Sequence, residues 1–357
     1  MKKIVLTGGG TAGHVTPHLA LLPRLREAGY DIHYIGTHRG MERGLMESQA
    51  GVNYHAIQSG KLRRYFDWQN FTDPFRVAAG FFQAISLLRK IKPDIVFSKG
   101  GFVAVPVVMA AWMRRIPVLA HESDLSPGLA NRISAKFAGR IATAFPECAR
   151  ALGEKGVYAG LPIRQTLFEG EWAKGLALAG FKGDKPVLMV MGGSQGARAV
   201  NEALRAALPQ VLPMMDVLHL CGKGHLEEAL AGKPGYFQAE FLSEELPHAL
   251  AAADLILSRA GATAICEFQA LKKPMLLIPL PLGSSRGDQI ENANSLAARG
   301  LARVLPQEQM TPDSLTEALR GLMANADALK KALHEAPRAD GSEAIFNMIE
   351  RMIKNNK

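Results

Sequence analysis

Short apolar runs, each closed by glycine or a small polar residue and followed by a stretch of helical period, recur along the chain. The first such unit predicts a buried strand over Lys3–Thr7, a helix over Val15–Glu27 and a second strand over Asp31–Gly36. Further strands are expected at Ile95–Ser98, Pro117–Ala120 and Ile141–Ala144, with helical stretches at Phe75–Ile91 and Pro127–Phe137 between them. That alternation is the mark of a parallel sheet covered by helices on both faces. The pattern then restarts. Strands at Pro186–Met191, Val217–Leu220, Leu255–Ser258 and Met275–Ile278 alternate with helices at Ala197–Leu212, Leu246–Ala252 and Thr263–Leu271.

A weak internal repeat supports two α/β units in tandem. Val5-Leu6-Thr7-Gly8-Gly9-Gly10-Thr11-Ala12-Gly13 echoes Val190-Met191-Gly192-Gly193-Ser194-Gln195-Gly196-Ala197, each reading as strand, glycine turn, helix. The 357 residues fit two domains at about 150 residues each. The boundary is expected near Gly160-Leu161-Pro162, after the short strand Val157–Ala159, giving domains 1–160 and 161–340. From Gly341 the chain reads as an amphipathic helix with Ile345, Met348, Ile349, Met352 and Ile353 on one side, closing the sequence over 341–357.

Composition narrows the class. With 48% hydrophobic and 21% charged residues the chain has the material for two packed cores. Its longest nearly apolar run, Val103 to Met113, contains Pro106 and falls short of the ~20 residues of a spanning helix. The apolar stretch after Lys2-Lys3 stops at Gly8, too short for an export signal, so an intracellular setting is expected. Cys148, Cys221 and Cys266 are far apart and form no metal-ligand spacing, in keeping with a reducing compartment. The net charge of +9 is one-sided: residues 1–164 hold 22 Lys and Arg against 11 Asp and Glu, and the remainder holds 20 against 22. A basic half suits an anionic membrane, a phosphorylated substrate or nucleic acid, or is ordinary solubilising charge.

Several turns could carry chemistry. Gly8, Gly10 and Gly13 match the GxGxxG pattern, yet the second strand ends Tyr34-Ile35-Gly36-Thr37-His38 without the acid that a dinucleotide ribose needs. An oxidoreductase is thereby disfavoured, and what survives is a turn whose backbone N–H groups can approach a diphosphate or sugar. His14 follows that turn at a helix entry, where the helix dipole keeps an imidazole neutral and able to take a proton from a hydroxyl. His18 and His121 are weaker rivals, and a structural histidine is the plain alternative. The turn Gly192–Gly196 offers backbone donors and the Ser194 hydroxyl to a phosphate. Ser258-Arg259-Ala260-Gly261-Ala262-Thr263-Ala264 leads into a helix carrying Glu267, which could accept two ribose hydroxyls or simply sit at the surface. Asp288 and Gln289 could bond sugar hydroxyls or cap the helix that follows. The chain contains no Asp-x-Asp pair, no P-loop and no GxSxG elbow, so metal-held diphosphate, P-loop nucleotidase and α/β-hydrolase chemistry are disfavoured.

Between Lys61 and Lys92 cations alternate with aromatics: Lys61, Arg63, Arg64, Tyr65, Phe66, Trp68, Phe71, Phe75, Phe81, Phe82, then Leu87, Leu88, Arg89, Lys90 and Lys92. With Trp112, Arg114 and Arg115 they suggest a patch that dips into an anionic leaflet, packing being the alternative. A nucleic-acid surface could look similar, although no RRM, KH, OB or helix-turn-helix signature appears. A non-enzyme, a peripheral membrane or nucleic-acid binder, would use this patch alone.

Taken together, Gly8–Pro17, Gly100-Gly101-Phe102-Val103, His121-Glu122 with Asn131, Gly160-Leu161-Pro162-Ile163-Arg164, Gly192–Ala197, Arg259–Thr263 with Glu267, and Asp288-Gln289 resemble, in order and spacing, the MurG family. These are glycosyltransferases of family 28 in the GT-B superfamily, and the match runs almost end to end. The resemblance implies a GT-B fold of two Rossmann-like doubly wound domains facing a central cleft. It implies metal-independent, inverting transfer of GlcNAc from UDP-GlcNAc to the C4 hydroxyl of the muramyl sugar of lipid I, with no cofactor. The first domain would bind acceptor and membrane, the second would bind the donor, and the final helix would cross back to brace the first. By similarity His14 is the general base; Thr11, Ala12 and Gly13 line the sugar and acceptor side; Asn131 approaches the donor sugar. Arg164 and Ser194 sit near the diphosphate, Phe241 and Leu242 flank uracil, Ala262, Thr263 and Ala264 line the donor, Glu267 takes the ribose, and Asp288 with Gln289 holds GlcNAc. The family often has two adjacent amides where Asp288-Gln289 stands, so Asp288 departs from its pattern. The implied setting is the cytoplasmic face of the cell membrane, peripherally bound, with cell-wall synthesis and division proteins as possible partners and no nucleic acid. Another GT-B transferase using the same donor would differ in its acceptor.

Overall fold

The computed structural model describes residues 1–60, 69–193, 196–283, 286–337 and 339–356. The chain forms two compact units, Met1–Arg164 with Ala339–Lys357, and Gln165–Arg338.

The first unit is built on a seven-stranded sheet. Its strands are β1 (Lys3–Gly8), β2 (Asp31–Thr37), β3 (Val52–Ile57), β4 (Ile95–Gly100), β5 (Val118–Glu122), β6 (Arg140–Thr143) and β7 (Gly156–Tyr158). They lie in the order β3-β2-β1-β4-β5-β6-β7, every pair parallel. β1 and β4 are fully or nearly fully buried because helices cover both faces, which is why they read as continuous apolar runs. On one face Leu21, Leu22 and Leu25 of the helix Thr16–Glu27 pack with Ile4 and Leu6; on the other Leu88 and Ile91 of the helix Gln69–Ile91 and Val107 and Val108 of the helix Ala104–Met113 pack with Val5 and Val96. The chain order reverses direction between β1 and β4, and at such a switch point the loops diverge and open a crevice at the carboxyl ends of the strands.

The last helix, Ser342–Asn355, belongs to this unit. Ile345, Ile349 and Ile353 enter the same cluster as Ile4, Leu6 and Leu25, each at most 2% exposed. Glu350 accepts from Lys2 Nζ at 2.8 Å and from the Tyr30 hydroxyl, fixing the helix against the start of β1. The chain re-enters alongside its point of departure: Leu161 N–H donates to Ala339 O at 2.9 Å and Gly341 N–H to Leu161 O at 2.8 Å. The unit therefore ends at Arg164 and resumes at Ala339.

The second unit holds β8 (Val187–Met191), β9 (Asp216–Leu220), β10 (Tyr236–Ala239), β11 (Leu255–Ser258), β12 (Met275–Leu277) and β13 (Arg303–Val304). Their order is β10-β9-β8-β11-β12-β13, again all parallel, with the switch point between β8 and β11. Val200, Leu204 and Leu208 of the helix Arg198–Val211 and Leu315, Leu319 and Leu322 of the helix Pro312–Ala324 pack over Leu188, Val190, Val217 and Leu257. No helix among the described residues is long and apolar enough to cross a membrane.

Candidate functional site

Each switch point gathers a part of the residues that the sequence singles out. In the first unit β1 ends at Gly8, and Ala12–His14 form one 3-10 turn before the helix Thr16–Glu27 begins. β4 ends beside it at Gly100, and a side chain on Gly101 would stand 2.3 Å from Gly9 O. Only two bare backbones can come this close. Gly101 also has φ +84°, a conformation that glycine alone adopts readily. Thr11, Ala12, Gly13 and His14 thus share one loop, resting on the loop that follows β4.

The His14 ring is fixed within this loop. Its Nδ1 lies 2.9 Å from Gly9 O and 3.2 Å from Thr11 Oγ1. A carbonyl oxygen can only accept, so Nδ1 carries the hydrogen and, in the neutral ring, the lone pair is on Nε2. Such an imidazole has the form of a general base.

The floor beneath the loop joins residues the sequence marks, His18, His121, Glu122 and Asn131, with one it does not, Lys99. Lys99 is 1% exposed and donates to Ser123 Oγ, and His18 and His121 are fully buried. Burial first, and the neighbouring Lys99 second, push both histidines well below the ordinary imidazole range, so both are neutral near pH 7. Glu122, at the end of β5, accepts from Asp124 N–H at 3.0 Å and from Asn131 Nδ2 at 2.8 Å. Burial raises its pKa above that of an ordinary carboxylate, the Asn131 bond opposing. Asn131 opens out from the helix Leu129–Phe137 to fill the space over Gly100, where a Cβ would stand 2.2 Å from its Oδ1. It is therefore part of this crevice. Arg164 closes the first segment of the unit.

In the second unit β8 leads through Gly192 and Gly193 to the helix Arg198–Val211; Ser194, with Gln195, lies outside the described residues. β11 leads through Arg259–Gly261 to the helix Ala262–Ala270, which carries Ala262, Thr263 and Ala264 in its first turn and a half-buried Glu267 further in. Arg259 is structural: it donates to Ile278 O at 3.1 Å and to Gln307 Oε1 at 2.6 Å, tying the end of β11 to that of β12. Asn292 Nδ2 donates to Ala260 O at 3.3 Å, bringing the helix Asp288–Ala298 against the same loop. Gln289 heads that helix and accepts from Leu280 N–H at 3.1 Å, while Asp288 lies 3.9 Å from Arg286 Nε. Ala262–Ala264, Glu267, Asp288 and Gln289 are thus grouped at adjacent strand ends. Phe241 and Leu242 follow β10 at the sheet edge, separated from β11 by β9 and β8, with Phe241 64% exposed. An exposed aromatic at a strand end is suited to stacking on a planar base.

The stretch 61–68 of the basic aromatic segment lies outside the described residues. Beyond it the segment divides. Leu88 is buried, and Phe81 and Leu87 pack against the core, so these are structural. Phe75 and Phe82 of the helix Gln69–Ile91 are 79% and 67% exposed, and Trp112 and Met113, at the end of the neighbouring helix Ala104–Met113, 56% and 57%. Among the described residues no group of three or more His, Cys, Asp and Glu side chains is placed to hold a metal ion.

Residues 4–143 match the glycosyltransferase family 28 N-terminal domain and residues 187–346 the family 28 C-terminal domain. A UDP-N-acetylglucosamine–N-acetylmuramyl-(pentapeptide) pyrophosphoryl-undecaprenol N-acetylglucosamine transferase of Lachnospira eligens is 53% identical over 98% of this chain and 99% of its own length. The transferase of the same name from Clostridium kluyveri is 51% identical, with the same coverage. The crystal structure of Acinetobacter baumannii MurG superposes with a TM-score of 0.80 at 27% identity, covering 98% of this chain and 100% of that one. Two Rossmann-like units, each with its switch-point crevice, are the GT-B fold. The chain belongs to glycosyltransferase family 28, among the transferases of the MurG type.

Proposed function

We propose that the chain transfers N-acetylglucosamine from UDP-GlcNAc to the C4 hydroxyl of the muramyl sugar of lipid I, giving lipid II, with inversion at the anomeric carbon and without a metal ion. His14 Nε2 takes the proton of the attacking hydroxyl, the new C–O bond forms at C1, and UDP leaves from the opposite face. The observation that carries this reading is the His14 ring, tied through Nδ1 to Gly9 O with its lone pair on Nε2, in a chain about half identical to named transferases over its whole length. The helix N-terminus after Gly192-Gly193 supplies backbone donors to the leaving diphosphate, and by the resemblance Ser194 and Arg164 serve the same group. Glu267 holds the ribose, Gln289 and Asp288 the sugar, Phe241 and Leu242 the base, and Ala262–Ala264 the wall of the donor site. Thr11, Ala12, Gly13 and Asn131 serve the acceptor and the reacting sugar.

The anomeric configuration of the product tests the mechanism. A β-linked disaccharide, read from the proton coupling at C1, is expected from the α-linked donor, and an α-linked product would overturn the single displacement. Glu267→Gln is expected to raise KM for UDP-GlcNAc about 10- to 100-fold with a smaller change in kcat, because hydrogen bonds to a charged acceptor contribute about 1.5–3 kcal/mol each. Steady-state kinetics with varied donor checks this; an unchanged KM removes Glu267 from the ribose site.

The exposed Phe75, Phe82, Trp112 and Met113, with Arg114 and Arg115 at the end of the second helix, form the face by which the protein rests peripherally on the cytoplasmic leaflet. Apolar side chains insert and the cations meet anionic headgroups. The double change Phe82→Ser with Trp112→Ser is expected to weaken binding to vesicles containing phosphatidylglycerol at least tenfold, leaving transfer to a soluble acceptor near wild type. Equal sedimentation with vesicles would exclude this face.

A further inference from the structure

Glu42 lies on the short helix Met41–Glu47 and is completely buried, although no pattern in the sequence marks it. Its Oε1 accepts from Thr37 N–H at 3.0 Å and from the Thr37 hydroxyl at 2.6 Å, and its Oε2 from Gly10 N–H at 3.4 Å. Glycines surround it: a Cβ on Gly9 would stand 2.8 Å from its carboxyl carbon, on Gly36 3.0 Å from its Cγ, and on Gly40 in steric overlap with both oxygens. A buried carboxylate is costly unless hydrogen-bonded, and these bonds direct its charge at the loop that carries His14.

The peptide group joining Gly9 to Gly10 stands between the two side chains. Its N–H donates to the Glu42 carboxylate, and its C=O accepts from His14 Nδ1 at 2.9 Å. Hydrogen bonds in series polarise one another, so a negative charge on the N–H side makes the carbonyl a stronger acceptor. We propose that Glu42 is the positioning residue of His14, acting through the Gly9–Gly10 peptide to hold the Nδ1–H tautomer and to raise the basicity of Nε2. The inference rests on the reading of His14 as the base. The proton taken from the acceptor hydroxyl stays on His14 Nε2, and the Glu42 carboxylate stabilises the imidazolium at a distance. This offsets the nearby helix N-terminus, which alone would depress the basicity of the ring.

The other charged or titratable groups around this pair do not switch in the working range. Tyr34, from β2, donates to Gly8 O at 2.7 Å, and Tyr54, from β3, to Thr37 O at 2.6 Å. Burial, with Glu42 next, raises both phenols, so they stay neutral. His18, on the helix Thr16–Glu27, is held neutral by burial and by Lys99 on β4, and Arg43 follows Glu42 on the same short helix.

The test combines a nitrogen NMR titration of His14 with the pH profile of transfer, in the full-length wild type and in Glu42→Gln. The amide oxygen of glutamine can still accept from Gly10 while the charge is gone. The His14 signals are identified by their absence from His14→Gln. Expected are an Nδ1–H tautomer in the neutral wild type, and in Glu42→Gln a His14 titration moved down by about half a pH unit or more. The acid limb of kcat should move with it, kcat should fall about tenfold, and KM for UDP-GlcNAc should hold. An unmoved titration with lowered kcat would reduce Glu42 to a support for the loop, overturning the relay. An Nε2–H tautomer in the wild type would overturn it without any variant, including where Glu42→Gln fails to fold. Transfer that survives in His14→Gln would instead sink the base assignment, a separate outcome because tautomer and titration are read without turnover.

Discussion

His14→Ala is expected to lower kcat for sugar transfer by about 10²- to 10⁴-fold, the range ascribed to a positioned general base. KM for UDP-GlcNAc and the affinity for UDP should stay within about threefold, within the change of 0.7 kcal/mol that such a factor represents. The asymmetry follows from where the residues lie. His14 sits on the glycine loop of the first unit, and Glu267, Gln289 and the turn after β8 belong to the second. Losing the imidazole removes the proton acceptor and also leaves Gly9 O, on a buried residue, without its 2.9 Å donor, at a cost of about 1–3 kcal/mol to the glycine loop. Steady-state kinetics with both substrates varied, and calorimetric titration with UDP, measure the two quantities separately. A variant retaining a tenth or more of wild-type kcat would show that the hydroxyl loses its proton elsewhere.

The second large effect concerns stability. Ile345, Ile349 and Ile353 carry the C-terminal helix into the core that covers β1, and each contributes about 1.5–3 kcal/mol by leaving water. Ile349→Ala should cost about 2–5 kcal/mol, since the cavity lies among Ile4, Leu6 and Leu25 with little room to collapse. A chain ended after Asp340 loses all three isoleucines and the Glu350 bonds to Lys2 and Tyr30. That is comparable with the roughly 5–15 kcal/mol holding a domain folded, so the first unit should not fold in the shortened chain. Urea unfolding followed by circular dichroism checks the point variant, and hydrogen exchange over residues 1–164 checks the truncation. A loss below about 1 kcal/mol in Ile349→Ala would mean that the helix is dispensable to that core.

Much of this architecture is legible in the chain because parallel strands buried on both faces must be apolar throughout. β1, β4, β8 and β11 are of this kind, and their runs match the expected strands to within two residues at either end. β3 and β10 escaped notice because an edge strand is half exposed: Val52-Asn53-Tyr54-His55-Ala56-Ile57 mixes polar and apolar positions. β13 has two residues, too few for any pattern. His14 could be found because it follows glycines at a strand end, a local signal. Glu42 could not, since its burial arises from three glycines at positions 9, 36 and 40 that meet only in the folded unit. Lys99 was hidden for the same reason, a cation closing an apolar strand and covered from the neighbouring one by Ser123. Nor could sequence separate Phe82 from Phe81: adjacent on one helix, one faces outward and the other packs inward.

The most direct test of the central claim is transfer of labelled N-acetylglucosamine from UDP-GlcNAc to a soluble lipid I analogue, with EDTA in excess. The account predicts a labelled disaccharide product with release of UDP at a rate that EDTA does not change. Failure to glycosylate this acceptor, while the same donor is hydrolysed or its sugar goes to another lipid, would contradict the acceptor assignment; abolition by EDTA, restored by a divalent cation, would contradict the metal-free mechanism.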